Sequence, residues 1–167
     1  SVIDHLILSH PHRDHNHLLP DLLDDYAVKH AYGSGRVYDS CSQRYYIAAI
    51  GNEPRLQYHT ALQDAGPGDI DYVTDKTCNR KHYPAKTPVI FGEKIVQGKD
   101  IALGVGASMR FLHANGAQLG NANDNSLVVM LTLGQRNVLL MGDAEGGSRA
   151  LWAVQAQPEE GPVEDQL

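Results

Sequence analysis

The chain has 167 residues, enough for one domain with a real core and too few for two comfortable ones. Its hydrophobic content of 42% and charged content of 20% are those of an ordinary globular protein, and no apolar run approaches the roughly 20 residues of a membrane span, so no membrane insertion is expected of this chain. A formal net charge of −6 argues against a large passive nucleic-acid surface, but not against a nuclease whose bound divalent cations reverse the field locally.

The opening "SVIDHLILS" has neither a basic n-region nor an initiator Met and is not a signal peptide. It reads as the middle of a domain, so a fragment or a processed chain is expected. Val2 to Leu8 is short and rich in branched residues, which suits a largely buried strand. A loop follows, and then Leu19, Leu22, Leu23 and Tyr26 recur at helical spacing with Pro20 in the first turn. "AVKHAY" predicts another strand, stopped by "GSG".

From Arg44 to Ala65 the pattern is mostly helical, interrupted near "GNEP" and closed by "AGPGD". Leu56, His59, Thr60 and Leu62 would share one inward face, with His59 a packed or surface histidine. Tyr72 to Ala107 reads as an irregular β-rich connection containing β-like pieces such as "EKIVQG" and "DIALGV". "SLVVMLTLGQRNVLLMGD" predicts a hairpin, with Ser126 to Leu133 paired to Asn137–Met141 around a Gly134-Gln135 turn of the Gly-first kind. "AEGGSRALWAVQAQ" predicts a helix, and "PEEGPVEDQL" an acidic, exposed end. The two cysteines, Cys41 and Cys78, form no CxxC, and their sequence positions leave a disulfide and two free thiols equally open.

Nine histidines serve the whole chain, and four of them fall in the nine residues "SHPHRDHNH". His10 and His12 are two apart, so on extended backbone both leave the same side of the chain. A bend after them would swing Asp14 and His15 toward the same region. Imidazole nitrogen and carboxylate oxygen are the usual zinc ligands where thiolates are absent. A solvated histidine-rich loop is the alternative, weakened because the cluster sits at the carboxyl end of a strand. Asp143, directly after the second hairpin strand, is by itself a helix cap or turn residue.

"HPHRDH" resembles the first metal-binding signature of the metallo-β-lactamase superfamily, and "NDNSLVVMLTLGQRNVLLMGDAE" resembles its later segment, in which a hairpin leads to a Gly-Asp whose carboxylate bridges two metals. The resemblance implies an α/β fold of the αββα sandwich type and a single, partial domain over residues 1–167. It also implies a mono- or dinuclear centre of Zn²⁺, Mn²⁺ or Fe²⁺ held by His10, His12, Asp14, His15 and Asp143, with Asp14 also the catalytic proton acceptor. Most hydrolases of this fold carry Gly-His-Thr where this chain has Asn121 to Asn125. That Asn-rich segment, with "ASMRFLHAN" upstream, is similar to the nuclease domain of the ComEC-type DNA-uptake proteins and their free-standing relatives.

That similarity implies a metal-dependent phosphodiesterase or nuclease, acting on a small-molecule or nucleic-acid phosphodiester. Asn123 and Asp124 become candidate substrate contacts, or else a polar turn that starts the hairpin. His113 is read as structural, His17 as exposed or as a partner of a ligand, and His5 as a hydrogen-bond partner of a ligand. Two departures stand: the flanking N-terminal strands and the C-terminal His-His-Gly-Ser segment of that group are missing. An amide, lactone or thioester hydrolase such as a β-lactamase, and a non-catalytic metal-binding module, are the alternatives. Compartment and oligomeric state are not set by the sequence.

Overall fold

A computed structural model of the chain describes residues 1–35, 40–61, 89–114 and 122–144. Strands β1 (Val2–Ile7), β2 (Ala27–Gly33) and β3 (Gln57–Thr60) make a parallel sheet in that order. Parallel neighbours need crossovers, and helices supply them. The first crossover runs through the single turn α1 (Arg13–Asn16) and α2 (Leu19–Asp25), the second through α3 (Cys41–Asn52). Strands β4 (Asp100–Gly104), β5 (Ala107–His113), β6 (Val128–Leu133) and β7 (Arg136–Leu140) form a second, antiparallel sheet in sequence order. The fold is therefore mixed α/β with two small sheets. No helix among the described residues is long and apolar enough to cross a membrane.

Local chemistry accounts for most element ends. Pro20 stands in the first turn of α2, where its missing N–H costs nothing. Ser40 caps α3 by accepting from the Gln43 backbone N–H at 3.3 Å. Cys41, the first residue of that helix, is disulfide-bonded; Cys78 lies outside the described residues. In the β6–β7 hairpin, Leu133 pairs with Arg136 around two residues, and Gly134 takes the positive φ of 60° such a turn requires.

Packing stacks three layers. Leu23 of α2 and Tyr46, Ile47 and Ile50 of α3 bury against Leu8, Ala31 and Tyr58 on the parallel sheet. Each such aliphatic side chain contributes about 1.5–3 kcal/mol when fully buried. Tyr32 packs toward the second sheet against Met109, Phe111, Leu127 and Val129, with the Tyr32 and Phe111 rings 5.4 Å apart.

Three expectations are corrected. Residues 57–60 are a strand, not the continuation of a helix: Tyr58, His59 and Thr60 are all buried, because β3 is covered on both faces. A strand buried on both faces loses the alternation that identifies strands in sequence. β1 is less buried than its composition suggests, with Val2 58% exposed. "EKIVQG" forms no strand; Ile95 and Gly98 attach singly to Thr60 and Phe111. The expected helix after Ala144, the acidic end and the "AGPGD" breaker lie outside the described residues.

Candidate metal centre

β1 ends in a Ser9–His10 turn at the carboxyl edge of the parallel sheet, where open α/β sheets place ligands. His10 is fully buried. After it the chain closes one helical turn, with the N–H groups of His15 and Asn16 both donating to the His12 carbonyl at 3.1 and 3.2 Å. That turn is the bend that returns Asp14 and His15 toward His10. The rings of His10 and His15 stand 4.2 Å apart and those of His10 and His12 4.6 Å apart.

The second sheet delivers Asp143. The Leu127 N–H donates to the Ser9 carbonyl at 2.8 Å, tying the head of β6 to the end of β1. β7 returns alongside β6, and Gly142 with φ +56° turns the chain over Ser9. The two carboxylate oxygens of Asp143 then face different imidazoles: Oδ2 is 3.7 Å from His10 Nε2, and Oδ1 is 3.4 Å from His15 Nε2. These separations are long for N–H···O hydrogen bonds. Ligands at roughly 2.0–2.2 Å from a tetrahedral ion lie about 3.3–3.6 Å from one another, so the spacing suits a shared cation. His10, His15 and Asp143 offer ligand atoms that all lie within 4.8 Å of one another and could hold a metal ion.

His12 and Asp14 flank this trio. His12 Nδ1 is 3.0 Å from His10 Nε2, and Asp14 Oδ2 is 3.6 Å from His15 Nε2 with its side chain 79% exposed. His10 and His15 both turn Nε2 toward carboxylate and Nδ1 toward serine. Ser9 Oγ stands 3.2 Å from His10 Nδ1 and 3.5 Å from His15 Nδ1, and Ser126 Oγ stands 3.4 Å from His10 Nδ1. With Nδ1 set against a serine hydroxyl, each ring is oriented so that Nε2 is the nitrogen presented to the carboxylate. Burial, and then the neighbouring His15, push the His10 pKa down to about 4, so this imidazole is neutral at pH 7 and can ligate.

No family model, curated protein or solved structure matches this chain.

Other expected residues fall elsewhere. His5 is no partner of a ligand here: its Nδ1 is 3.0 Å from the Tyr32 hydroxyl and its ring stacks on His30. His17 is exposed and its Nδ1 donates to the Arg13 carbonyl at 2.8 Å. His113 is buried and donates from Nδ1 to the Ser126 carbonyl at 2.9 Å, a structural role. Asn123 and Asp124 lie in the 3-10 turn Asn123–Asn125. Asp124 is only 2% exposed, which leaves it almost no surface for a substrate, and its charge acts on His113.

Sequence reading missed the supports. Asn16, fully buried, donates from Nδ2 to the Pro11 carbonyl at 3.1 Å and to Gln43 Oε1 at 2.9 Å, pinning the loop between His10 and His12 to α3. Ser126 is equally buried. The signal for Asn16 was a polar residue inside the histidine motif itself; Ser126 carried none beyond heading an apolar run.

Proposed function

We propose that this chain carries the centre of a divalent-metal-dependent hydrolase on a metallo-β-lactamase-like αββα scaffold, with a phosphodiester as the bond cleaved. The observation that carries the reading is the split carboxylate of Asp143, one oxygen toward His10 and the other toward His15. His12 joins His10 on one side of Asp143, and Asp14 joins His15 on the other. A Zn²⁺, Mn²⁺ or Fe²⁺ ion held by these residues would supply Lewis acidity to the reaction.

The chain's own groups do the rest. His10 and His15 present Nε2 to the carboxylate, with Ser9 against Nδ1 of both rings and Ser126 against that of His10. Asp143 neutralises the local positive charge. Asp14, largely exposed beside His15, accepts a proton from the attacking water and orients it. The two-residue link Met141–Gly142 between β7 and Asp143 and the Asn16 clamp keep these groups in place before substrate arrives, which is what preorganised ligation requires. The "NDNSLVV" segment, similar to that of ComEC-type nucleases, favours a phosphodiester over an amide or lactone.

Purified protein is assayed on single-stranded DNA and on bis-p-nitrophenyl phosphate with added Mn²⁺ or Zn²⁺, with and without chelator. Cleavage that stops with chelator and is lost in Asp14→Asn is expected. Metal bound without cleavage of either substrate overturns the nuclease reading in favour of a metal-stabilised module, and no bound metal overturns both.

A further inference from the structure

The second histidine group lies deeper in the same sheet, and none of the metal-centre residues takes part in it. His5 pairs with His30 across β1 and β2, and Tyr32 pairs with His59 across β2 and β3. His30 and Tyr32 are two apart on one strand, so all four side chains share a face. Their rings are in contact: His5 on His30 at 5.3 Å, His30 near His59 at 5.2 Å, and His59 stacked on Tyr32 at 4.7 Å. Together they form one wall of a cavity of about 670 Å³, well inside the range of small-molecule sites at roughly 300–1,000 Å³.

The wall is built, not incidental. His59 is 9% exposed and held on both faces, by Tyr32 and by the backbone at Gly92, where a Cβ would fall 2.3 Å from the His59 Cε1 atom. Its Nδ1 lies 2.6 Å from the Glu93 carbonyl. A carbonyl only accepts, so that nitrogen carries the proton, and neutral His59 keeps its lone pair on Nε2. His59 Nε2 is 3.0 Å from His30 Nδ1, which therefore donates. The proton order runs from His30 through His59 to Glu93, and His30 Nε2 takes no part in it.

Phe91, Ile95 and Ile101 add apolar lining, and the exposed Lys94 and Lys99 line the cavity at its solvent side. Glu93 opposes them and is 3.7 Å from Lys99, so one rim cation is in excess. Asp4 on β1 and Lys29 on β2 are one residue from His5 and His30 and so lie on the other face of the sheet, where they pair with each other; their charges still act on His5. An apolar pocket with a few convergent polar groups, a cationic rim and imidazoles that can gain protons is matched by an anion on an apolar body.

We propose that this cavity binds a small organic oxyanion, a carboxylate or a phosphate monoester on an apolar group, with the oxyanion against His30 and Lys94 and the apolar part between Phe91 and Ile101. Burial holds His5 and His59 below the ordinary imidazole value, and an oxyanion favours the protonated form, so anion and proton bind together and affinity rises as pH falls. The site is separate from the metal centre.

Isothermal titration of the full chain uses benzoate, phenyl phosphate and the neutral control benzyl alcohol, at pH 6 and at pH 8, in chelator. At least one anion should bind, tighter at pH 6, with the alcohol binding at least about tenfold more weakly. The preferred anion identifies carboxylate or phosphate as the source. His30→Gln should weaken binding about tenfold or more, and the exposed rim change Lys94→Glu should weaken it without touching the fold. Asp143→Asn should leave it unchanged. No binding of either anion, equal binding of the alcohol, or loss only in Asp143→Asn would each overturn the proposal.

Discussion

Gly142 lies directly on Ser9: a Cβ at position 142 would stand 2.6 Å from the Ser9 Cβ. That contact lets the turn after β7 close onto the end of β1 and sets Asp143 beside His10 and His15. Gly142 also takes φ +56°, a left-handed conformation costing other residues roughly 1–2 kcal/mol. Gly142→Ala should lower stability by about 1–3 kcal/mol and weaken metal binding more than stability alone explains. Urea titration and metal titration on the same sample check this. Metal binding unchanged in a folded variant would show that Asp143 is placed by something else.

Removing the carboxylate tests the shared cation. Asp143→Asn keeps the shape while deleting a negative charge near two imidazoles. Zn²⁺ affinity should fall by about 100-fold, within the range that loss of a supporting or ligating group produces. His17→Ala, an exposed histidine bonded to its own helical turn, should leave affinity within about twofold. Equal losses from both changes would point to nonspecific histidine binding.

Asn16 links the ligand loop to α3. Asn16→Ala strips the buried donor from the Pro11 carbonyl and from Gln43 Oε1, and a buried polar group left unsatisfied costs about 1–3 kcal/mol. Thermal unfolding should register that loss, and metal affinity should fall with it because the backbone between His10 and His12 loosens. Gln43→Ala, which spares the Pro11 bond, should cost less. The reverse order would place the anchor in α3 rather than in the loop.

Acid should unfold the metal-free protein early. His59 and His113 have pKa values below the ordinary 6.5, in both cases mainly because burial penalises the imidazolium. Below that value the unfolded chain binds more protons than the folded one, so stability is full above about pH 6.5 and is lost as pH falls beneath it. Each such histidine adds a slope of up to about 1.4 kcal/mol per pH unit. Urea midpoints measured in chelator should drop between pH 7.5 and pH 5.5, and His113→Asn should flatten the drop. A midpoint that rises on acidification would mean these imidazoles are charged in the folded chain.

Features that rest on local spacing were legible in the residues alone. The sequence carried the first strand, the helix that begins beside Pro20, "AVKHAY" as a strand, and the hairpin at Gly134, because periodicity, proline and a Gly-first turn act within a few residues. It also marked His10, His12, Asp14 and His15 as ligand types in one short stretch, whereas Asp143 read alone was a cap or turn residue and joined them only through the family resemblance. The remaining features depend on contacts between distant segments. Residues 57–60 became a strand because β2 and residues 90–92 offer backbone partners on either side, a long-range effect that overrides helical spacing. His5 turned away from the centre and joined His30 and His59 because register across three strands, not distance along the chain, chooses neighbours. Asp143 met His10 across 133 positions of sequence only because the two sheets pack face to face and the Leu127 N–H ties β6 to Ser9, and that proximity is written in no single stretch of residues.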